Sequence, residues 1–390
     1  MMKKYAFFFL LLSCFFSKAQ NIELSVYSEI SIVTSGPGEN LYEKFGHTAI
    51  RVKDPVLNLD ILYNYGIFDF NDPNFYANFV RGFMKYKLAK YPFHLSLKAA
   101  NYDERWVKQQ VLNLNRKERT KFFRFLENNA KPENASYFYD PFFDNCATRP
   151  RDIITSVLGD KFIFKDKFVT SEKSLRDLMN EKIHQNTWGS FGINLALGSR
   201  LDNTAKPQEY LYLPEYVFRA LEVSNIKEKD AIIATVKKTD TLLDFDQKLP
   251  NSDTINPLLI FTLLLLVVLL ITYRDYSNNS RTKFLDFIIL FSTGIVGSLI
   301  IFLWFFTNHS TAPKNFNFLW AFAPNLVLAF FFLKKNISSW LRNYILLLLI
   351  LIVIILPIHI FEIQKFTYPN IPLIIMIFVR YLFLYKYLNK

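Results

Sequence analysis

The last third of the chain constrains its fold most, because it is almost continuously apolar. From Thr254 to Lys390 the sequence contains five hydrophobic stretches separated by short polar segments. Each has about the 17–25 residues that a helix needs to cross a bilayer. They cover residues 257–273, 284–306, 316–333, 344–361 and 371–388. The sequence therefore predicts an all-α transmembrane domain of five helices over residues 254–390.

Lysines and arginines in this region predict which way the helices run. Membrane proteins keep an excess of these residues in their cytoplasmic loops. If the chain before residue 254 lies outside the cytoplasm, only Lys314 and Lys365, of 11 lysines and arginines in this region, fall in outer loops. Arg380 interrupts the last predicted span, and we expect its long side chain to snorkel toward the inner surface.

The first 19 residues have the pattern of a secretory signal peptide. Lys3 and Lys4 precede a short apolar run, and Ser17-Lys18-Ala19 supplies small residues for cleavage. An alternative is lipid attachment at Cys14, since the preceding LLS resembles a lipobox. Either processing route predicts that residues 20–253 form one domain outside the cytoplasm.

The formal charge of +12 is concentrated at the two ends of the chain. Residues 21–253 carry 32 Lys and Arg against 31 Asp and Glu and are nearly neutral. A nucleic-acid surface needs a clustered basic face. The basic excess therefore indicates membrane orientation, and we predict no nucleic-acid partner.

Cys146 is the candidate nucleophile of the exported region. It lies in the polar stretch DNCATRPRD, before a helical pattern, and two arginines follow it. Backbone N–H groups at a helix start and nearby guanidinium charge both favour a thiolate. The alternative is a cysteine that merely packs as a small hydrophobe. Asn145 and Arg149 are candidate substrate contacts beside it.

A thiol nucleophile needs a base, and His47 is the candidate. It lies on a predicted strand, and Asn64 on the next predicted strand shares its face if the two form a hairpin. We predict that Asn64 orients the imidazole, with Asp60 and Asn40 as alternatives. Histidine before cysteine is the order of circularly permuted papain-like folds, which predicts an α+β exported domain. Cysteines and histidines are too scattered for a metal site, and no cofactor is predicted.

Several motifs together resemble the Lnb family of lipoprotein N-acyltransferases. They are GPGENLYEKFGHTAIRV at 36–52, YNYGIFDF at 63–70, FVRGFMKY at 79–86, FFDNCATRPRD at 142–152, WGSFGI at 188–193, LGSRLD at 197–202 and YLP at 212–214. The resemblance implies a thiol site at Cys146 and His47 and a five-helix membrane domain in the bacterial inner membrane. It implies acyl transfer from a membrane phospholipid, through a thioester, to the α-amine of a diacylglyceryl-cysteine lipoprotein.

The predicted topology places several polar residues near the outer leaflet, namely His309, Asn317, Asn325, His359 and Glu362. His309, Asn325 and His359 are candidate contacts for a lipid headgroup or for the second substrate, although helix ends commonly carry polar residues. Two other functions stay open at this point. One is a papain-like cell-wall amidase or peptidase, and the other is a non-catalytic membrane sensor or scaffold.

Overall fold

The computed structural model describes residues 23–68, 71–229, 231–335 and 337–389. The predicted signal peptide, with Cys14, lies outside the described residues. The first half of the described chain is a mixed α/β domain, and its second half is helical.

A seven-stranded antiparallel sheet organises the exported domain. Its spatial order is β10-β5-β1-β2-β3-β4-β6, and β7, β8 and β9 form a smaller sheet. The strands are β1 (Glu29–Ser35), β2 (His47–Asp54), β3 (Leu59–Ile67), β4 (Lys85–Pro92), β5 (Val107–Leu112), β6 (Ser136–Phe138), β7 (Phe162–Ile163), β8 (Asn225–Glu228), β9 (Ala231–Ala234) and β10 (Val236–Leu243). His47 is thus the first residue of β2, the central strand of the sheet.

Helices of the exported domain cover the sheet. They are α1 (Phe75–Arg81), α2 (Phe93–Tyr102), α3 (Arg116–Asn129), α4 (Thr148–Leu158), α5 (Leu175–Asn180), α6 (Trp188–Ala196) and α7 (Pro214–Val223). Because side chains alternate along a strand, β2 buries Ile50 and Val52 in the main core and Ala49 in a smaller cluster on the other face. The helix that follows Cys146, α4, contributes Ile153 and Val157 to the main core. Burial of α4 therefore fixes the loop that precedes it.

Four helices among the described residues are long and apolar enough to cross a membrane. They are α8 (Pro257–Ser277), α9 (Lys283–Phe305), α11 (Trp340–Ile360) and α12 (Asn370–Tyr387). The prediction of a continuous helix over residues 316–333 is wrong. This segment consists of two 3-10 helices, Phe316–Leu319 and Ala329–Leu333, and the short α10 (Asn325–Leu328) between them.

Two features explain why this segment is broken. Pro324 has no backbone N–H to donate within a helix. Glycines of α9 also let the segment's backbone lie directly against that helix: a Cβ on Gly294 would lie 2.1 Å from Leu326 N, and one on Gly297 would lie 1.9 Å from Ala321 O. Non-helical backbone at membrane depth is tolerated where protein buries it, as α9 does here.

Arg380 does not snorkel, contrary to the expectation from its sequence position. Its guanidinium is fully buried and donates to Asp286 Oδ1 at 2.6 Å and to Asp275 Oδ2 at 2.8 Å. Arg281 donates to the second oxygen of Asp286 at 2.9 Å. Two arginines and two aspartates therefore neutralise one another where α8, α9 and α12 meet.

Outer loops of the helical half dock onto the exported domain. Gly198 N donates to Thr311 O at 2.8 Å, and Asn315 Nδ2 donates to Leu195 O at 2.7 Å. From the next outer loop, Lys365 Nζ forms an ion pair with Asp177 at 2.9 Å. The two halves are thus joined by hydrogen bonds from two separate loops.

A buried arginine organises the surface that receives these loops. Arg176 of α5 has no solvent exposure and donates to both carboxylate oxygens of Asp202, at 2.8 and 3.1 Å. It also donates to Asn194 Oδ1 and to the carbonyls of Leu197 and Gly198. Its guanidinium therefore ties α5, α6 and the following turn together.

We expect Arg176→Met to destabilise the protein strongly. The substitution leaves Asp202 buried without its counter-ion, which typically costs about 3–5 kcal/mol and corresponds to a fall of roughly 10 °C in Tm. Thermal unfolding of the full chain in detergent measures this. Arg219→Met removes an exposed i,i+4 partner of Glu215 and should shift Tm by much less. Equal shifts in the two variants would contradict a structural role for Arg176.

Candidate active site

Cys146 lies in a tight loop just before α4, two residues ahead of the first helical residue. Asn145 holds the loop closed: its Oδ1 accepts from Ala147 N and Thr148 N, and its Nδ2 donates to Tyr212 O at 2.9 Å. Asn145 is itself buried. The contact with substrate predicted for Asn145 is not supported, because its side chain is used to shape the nucleophile loop.

His47 and Asn64 come together as the hairpin register requires. β2 and β3 are antiparallel neighbours with Ile50 opposite Tyr63, and His47 Nε2 lies 2.6 Å from Asn64 Oδ1. Asn64 Nδ2 donates to Tyr91 Oη at 2.7 Å, which fixes the amide so that its oxygen faces the imidazole. Nε2 then carries the proton of this hydrogen bond, and Nδ1 is left for Cys146.

The alternative orienting residues lie elsewhere. Asp60 accepts from Arg51 Nε and Nη2, both at 2.7 Å, and Asn40 is bonded to Glu43. These contacts leave Asn64 as the polar side chain that holds His47.

The Cys146 thiol and the His47 imidazole lie close enough for each group to act on the pKa of the other through its charge and through hydrogen bonding. Burial acts to raise the pKa of Cys146, but the imidazolium charge, this hydrogen bond and backbone N–H groups including that of Thr48 outweigh it, so its pKa falls below the ordinary value. Burial acts to lower the pKa of His47, but the thiolate charge and the bonds from Cys146 and Asn64 raise it. Opposite shifts favour a thiolate–imidazolium pair. Both residues remain partly exposed, so the pair is accessible.

The arginines that follow Cys146 contribute less than the sequence suggests. Arg149 forms a bidentate pair with Asp144 and lies over the ring of Tyr137, 4.0 Å from its centroid. Arg151 Nε donates to Asp152 at 2.7 Å. Helix α4 begins only at Thr148, and the side chain of Asn145 already accepts hydrogen bonds from two backbone N–H groups at the start of this helix. The lowered pKa of the thiol therefore arises mainly from His47. Arg149 is partly exposed and holds the loop through Asp144.

Two charged or polar groups near the thiol were missed by sequence reasoning. Arg105 lies close enough for the charge of Cys146 to act on its pKa, and it donates to Gly36 O at 2.8 Å. Tyr137 has a buried hydroxyl with no hydrogen-bond partner among the residues that the structure describes. That hydroxyl lies 3.9 Å, and Cys146 Cβ lies 3.7 Å, from the point that a Cβ on Gly66 would occupy.

Tyr137 is a proton donor in this setting. Burial and, after it, the charge of Cys146 raise the pKa of the phenol far above its ordinary value of 10.0, so the phenol stays protonated. Strand β6, which carries Tyr137, reaches the site only through its pairing with β4. The only signal in the sequence was the aromatic run YFY shortly before the cysteine.

An outer loop of the helical half braces the nucleophile loop. Asp140 Oδ1 accepts from the backbone N–H groups of Phe142 and Phe143, and its Oδ2 accepts from Ser310 Oγ. The neighbouring His309 packs against Phe79 of α1, with ring centroids 6.5 Å apart. His309 therefore lies where the exported domain meets the end of α9.

The other two candidate contacts near the outer leaflet, Asn325 and His359, differ in accessibility. Asn325 is fully buried and bonded to Thr293, Tyr344 and Tyr381, so the structure does not support contact with a substrate. His359 is exposed at the end of α11, and its Nδ1 accepts from Phe366 N at 3.3 Å. Within the described ranges, no three side chains of His, Cys, Asp or Glu converge as metal ligands would.

Two family models match the chain on either side of residues 178–248. Residues 20–177 match the Lnb N-terminal periplasmic domain, and residues 249–390 match the Lnb transmembrane domain. No curated protein and no solved structure matches significantly. With the four apolar helices, these matches make the chain a multi-pass membrane protein with a periplasmic domain.

Proposed function

This chain belongs to the Lnb family, and on that premise we propose that it is a thiol-dependent lipoprotein N-acyltransferase of the bacterial inner membrane. The donor is a membrane phospholipid, and the acceptor is the α-amine of a diacylglyceryl-cysteine lipoprotein. The observation that carries the proposal is the close approach of Cys146 to His47, whose imidazole is held by Asn64. No cofactor is needed for this chemistry.

The proposal extends to the architecture. A histidine on a central strand, with the cysteine before a later helix, suits a circularly permuted papain-like arrangement. We also propose five membrane crossings, the third made by the broken segment. Its start is bonded to Leu195 of the exported domain through Asn315, and the carbonyl of Phe332 near its end accepts from Arg281, which follows α8 at the opposite side.

In the first step the Cys146 thiolate attacks an ester carbonyl of the phospholipid. The carbonyl oxygen becomes an oxyanion, for which the Tyr137 hydroxyl is a preorganised donor. As the intermediate collapses, the C–O bond to the lysophospholipid breaks and its oxygen takes the proton from His47 Nδ1. The products are an acyl thioester on Cys146, a lysophospholipid and a neutral imidazole.

In the second step the neutral α-amine of the lipoprotein attacks the thioester. His47 Nδ1 accepts a proton from the attacking nitrogen, the C–S bond breaks, and the amide leaves. The thiolate–imidazolium pair is thereby restored. His359, exposed at the outer end of α11, is proposed to contact headgroups of either lipid.

We expect Asn64→Ala to lower kcat/KM by at least about tenfold, since the hydrogen bond that orients the imidazolium of His47 is lost. Acylation of Cys146 from phospholipid vesicles measures this. Asn64→Asp keeps an acceptor facing His47 Nε2 and should retain more activity than Asn64→Ala. Equal activity in Asn64→Ala and the unaltered protein would remove Asn64 from the site.

Tyr137→Phe is expected to lower the acylation rate by on the order of 10²-fold, the usual effect of removing one oxyanion donor. The ring and its packing under Arg149 are kept, so the fold should be unaffected. Alkylation of Cys146 by iodoacetamide, which forms no oxyanion, should proceed at the unaltered rate. A parallel loss of alkylation would indicate that Tyr137 acts on the thiol itself.

Two measurements test the function as a whole. Mass spectrometry of the full chain after exposure to phospholipid should show one acyl chain added at Cys146. Lipoprotein N-termini from cells lacking this protein should lose their amide-linked acyl chain. Intact N-acylation together with altered cell-wall fragments would instead favour an amidase or peptidase.

A further inference from the structure

Aromatic rings form a continuous series from the surface of α1 to the active-site thiol. Phe79 stacks on Phe75 at 6.2 Å between centroids, and Phe75 lies 5.8 Å from Phe68. Phe68 lies 5.1 Å from Tyr86, and Tyr86 stacks on Tyr139 at 4.4 Å. We call these five rings the aromatic track.

The inner end of the aromatic track reaches Cys146. Tyr139 Cε2 and Cys146 Cβ lie 3.6 and 3.7 Å from the point that a Cβ on Gly66 would occupy. Gly66 has a φ of 92°, a conformation that other residues rarely adopt, so this position keeps an open space between the last ring and the thiol.

The outer end of the aromatic track meets the membrane-crossing half. Asn308 N, three residues after α9 ends, donates to Arg81 O at 2.9 Å, and a Cβ on Gly82 would lie 2.7 Å from His309 N. Phe305 and Phe306, at the outer end of α9, are exposed in the same way as Phe79. The exposed side of α1 thus adjoins the exposed apolar surface at the outer end of α9.

We propose that the aromatic track binds the acyl chain of the donor phospholipid, which passes from the outer leaflet along α1 to Cys146. This inference rests on the proposed function. A hydrocarbon chain suits a row of ring faces and edges that offers mainly apolar contact. Two side chains of α1 are exposed, Tyr76 at 69% and Phe79 at 47%, and would be the first to contact the lipid in this arrangement.

Charge beside the aromatic track suits the donor as well. Arg81, exposed in the last turn of α1, lies at the membrane end, where its charge would attract the phosphate of a donor lipid before the lipid enters the track. The ester carbonyl would then be the part of the lipid that advances to the thiol, and after transfer the thioester-bound chain keeps its place among the rings.

The test compares two acyl donors in the full-length protein. Acylation of Cys146 is measured with vesicles of a long-chain phosphatidylethanolamine and with p-nitrophenyl acetate, whose acyl group is too short to occupy the aromatic track. For Phe79→Ser we expect the ratio of the vesicle rate to the acetate rate to fall about tenfold. This is the effect of losing the apolar contact between one aromatic side chain and the acyl chain. Tyr76→Ser should lower the ratio in the same direction.

Tyr27→Ser is the matched control. Tyr27 is 70% exposed and lies beside Ser25, remote from α1 in the fold, so its replacement should leave the ratio unchanged. An unchanged ratio in Phe79→Ser would overturn the inference and leave the proposed function intact. Normal vesicle acylation with a loss only in transfer to the lipoprotein would also overturn it, because the aromatic track would then bind the acceptor. Absence of acylation by both donors in the unaltered protein would overturn the proposed function itself.

Discussion

Cys146→Ser is expected to lower acyl transfer by on the order of 10⁴-fold or more. The substitution keeps the size of the side chain, but a hydroxyl is not ionised by His47, whereas the thiol is held as a thiolate by the imidazolium charge. Neither the acyl adduct nor the N-acylated lipoprotein should form. Mass spectrometry of both products in the same reaction measures the loss.

The fold should survive this change, because Cys146 is only partly buried and the loop is held by Asn145 and Asp140. An unchanged Tm would show this. Retention of more than about a tenth of the transfer rate would exclude Cys146 as the nucleophile. The remaining possibility would then be a membrane protein in which this cysteine only packs.

His47→Gln should lower acylation by about 10²–10⁴-fold, the usual contribution of a general acid–base residue. Its effect on pH dependence is more specific. In the unaltered protein, kcat/KM should be bell-shaped: it rises as Cys146 ionises below its ordinary pKa of 9.0 and falls as His47 loses its proton above its ordinary pKa of 6.5. Each limb follows from the direction of one shift.

In the His47→Gln variant only one limb should remain. Burial still acts to raise the pKa of Cys146, while the charge that lowered it is gone, so the residual activity should increase toward alkaline pH without a descending limb. His94→Gln, at an exposed histidine on α2, is the control and should keep the full bell. A bell-shaped profile in His47→Gln would assign the descending limb to another group.

Local patterns in the sequence were sufficient to identify the three residues of the candidate site, Cys146, His47 and Asn64. Strand alternation put His47 and Asn64 on one face, and antiparallel pairing of β2 with β3 brings them to 2.6 Å. A polar loop before an apolar helix likewise pointed to Cys146. These inferences needed only the alternation of apolar and polar residues and the register of one hairpin. Both are encoded by residues close together in the sequence.

Contacts between distant segments could not be predicted in this way. Tyr137 approaches the thiol because β6 pairs with β4, and the sequence carries no mark of that pairing. Arg380 was expected to reach the inner surface, but its partners Asp275 and Asp286 lie on other helices. The break in residues 316–333 depends on how closely α9 approaches, which hydropathy alone does not report.

Docking of the two outer loops on the exported domain has a consequence for kinetics. If the docked domain stays at this height above the membrane, the substrates that we propose, a phospholipid and a lipoprotein, have to reach it by lateral diffusion in the plane of the leaflet. The rate at which substrates encounter the active site then depends on their surface concentration in the leaflet and not on their bulk concentration. Diluting the donor with an inert lipid should slow turnover even when the total amount of donor is held constant.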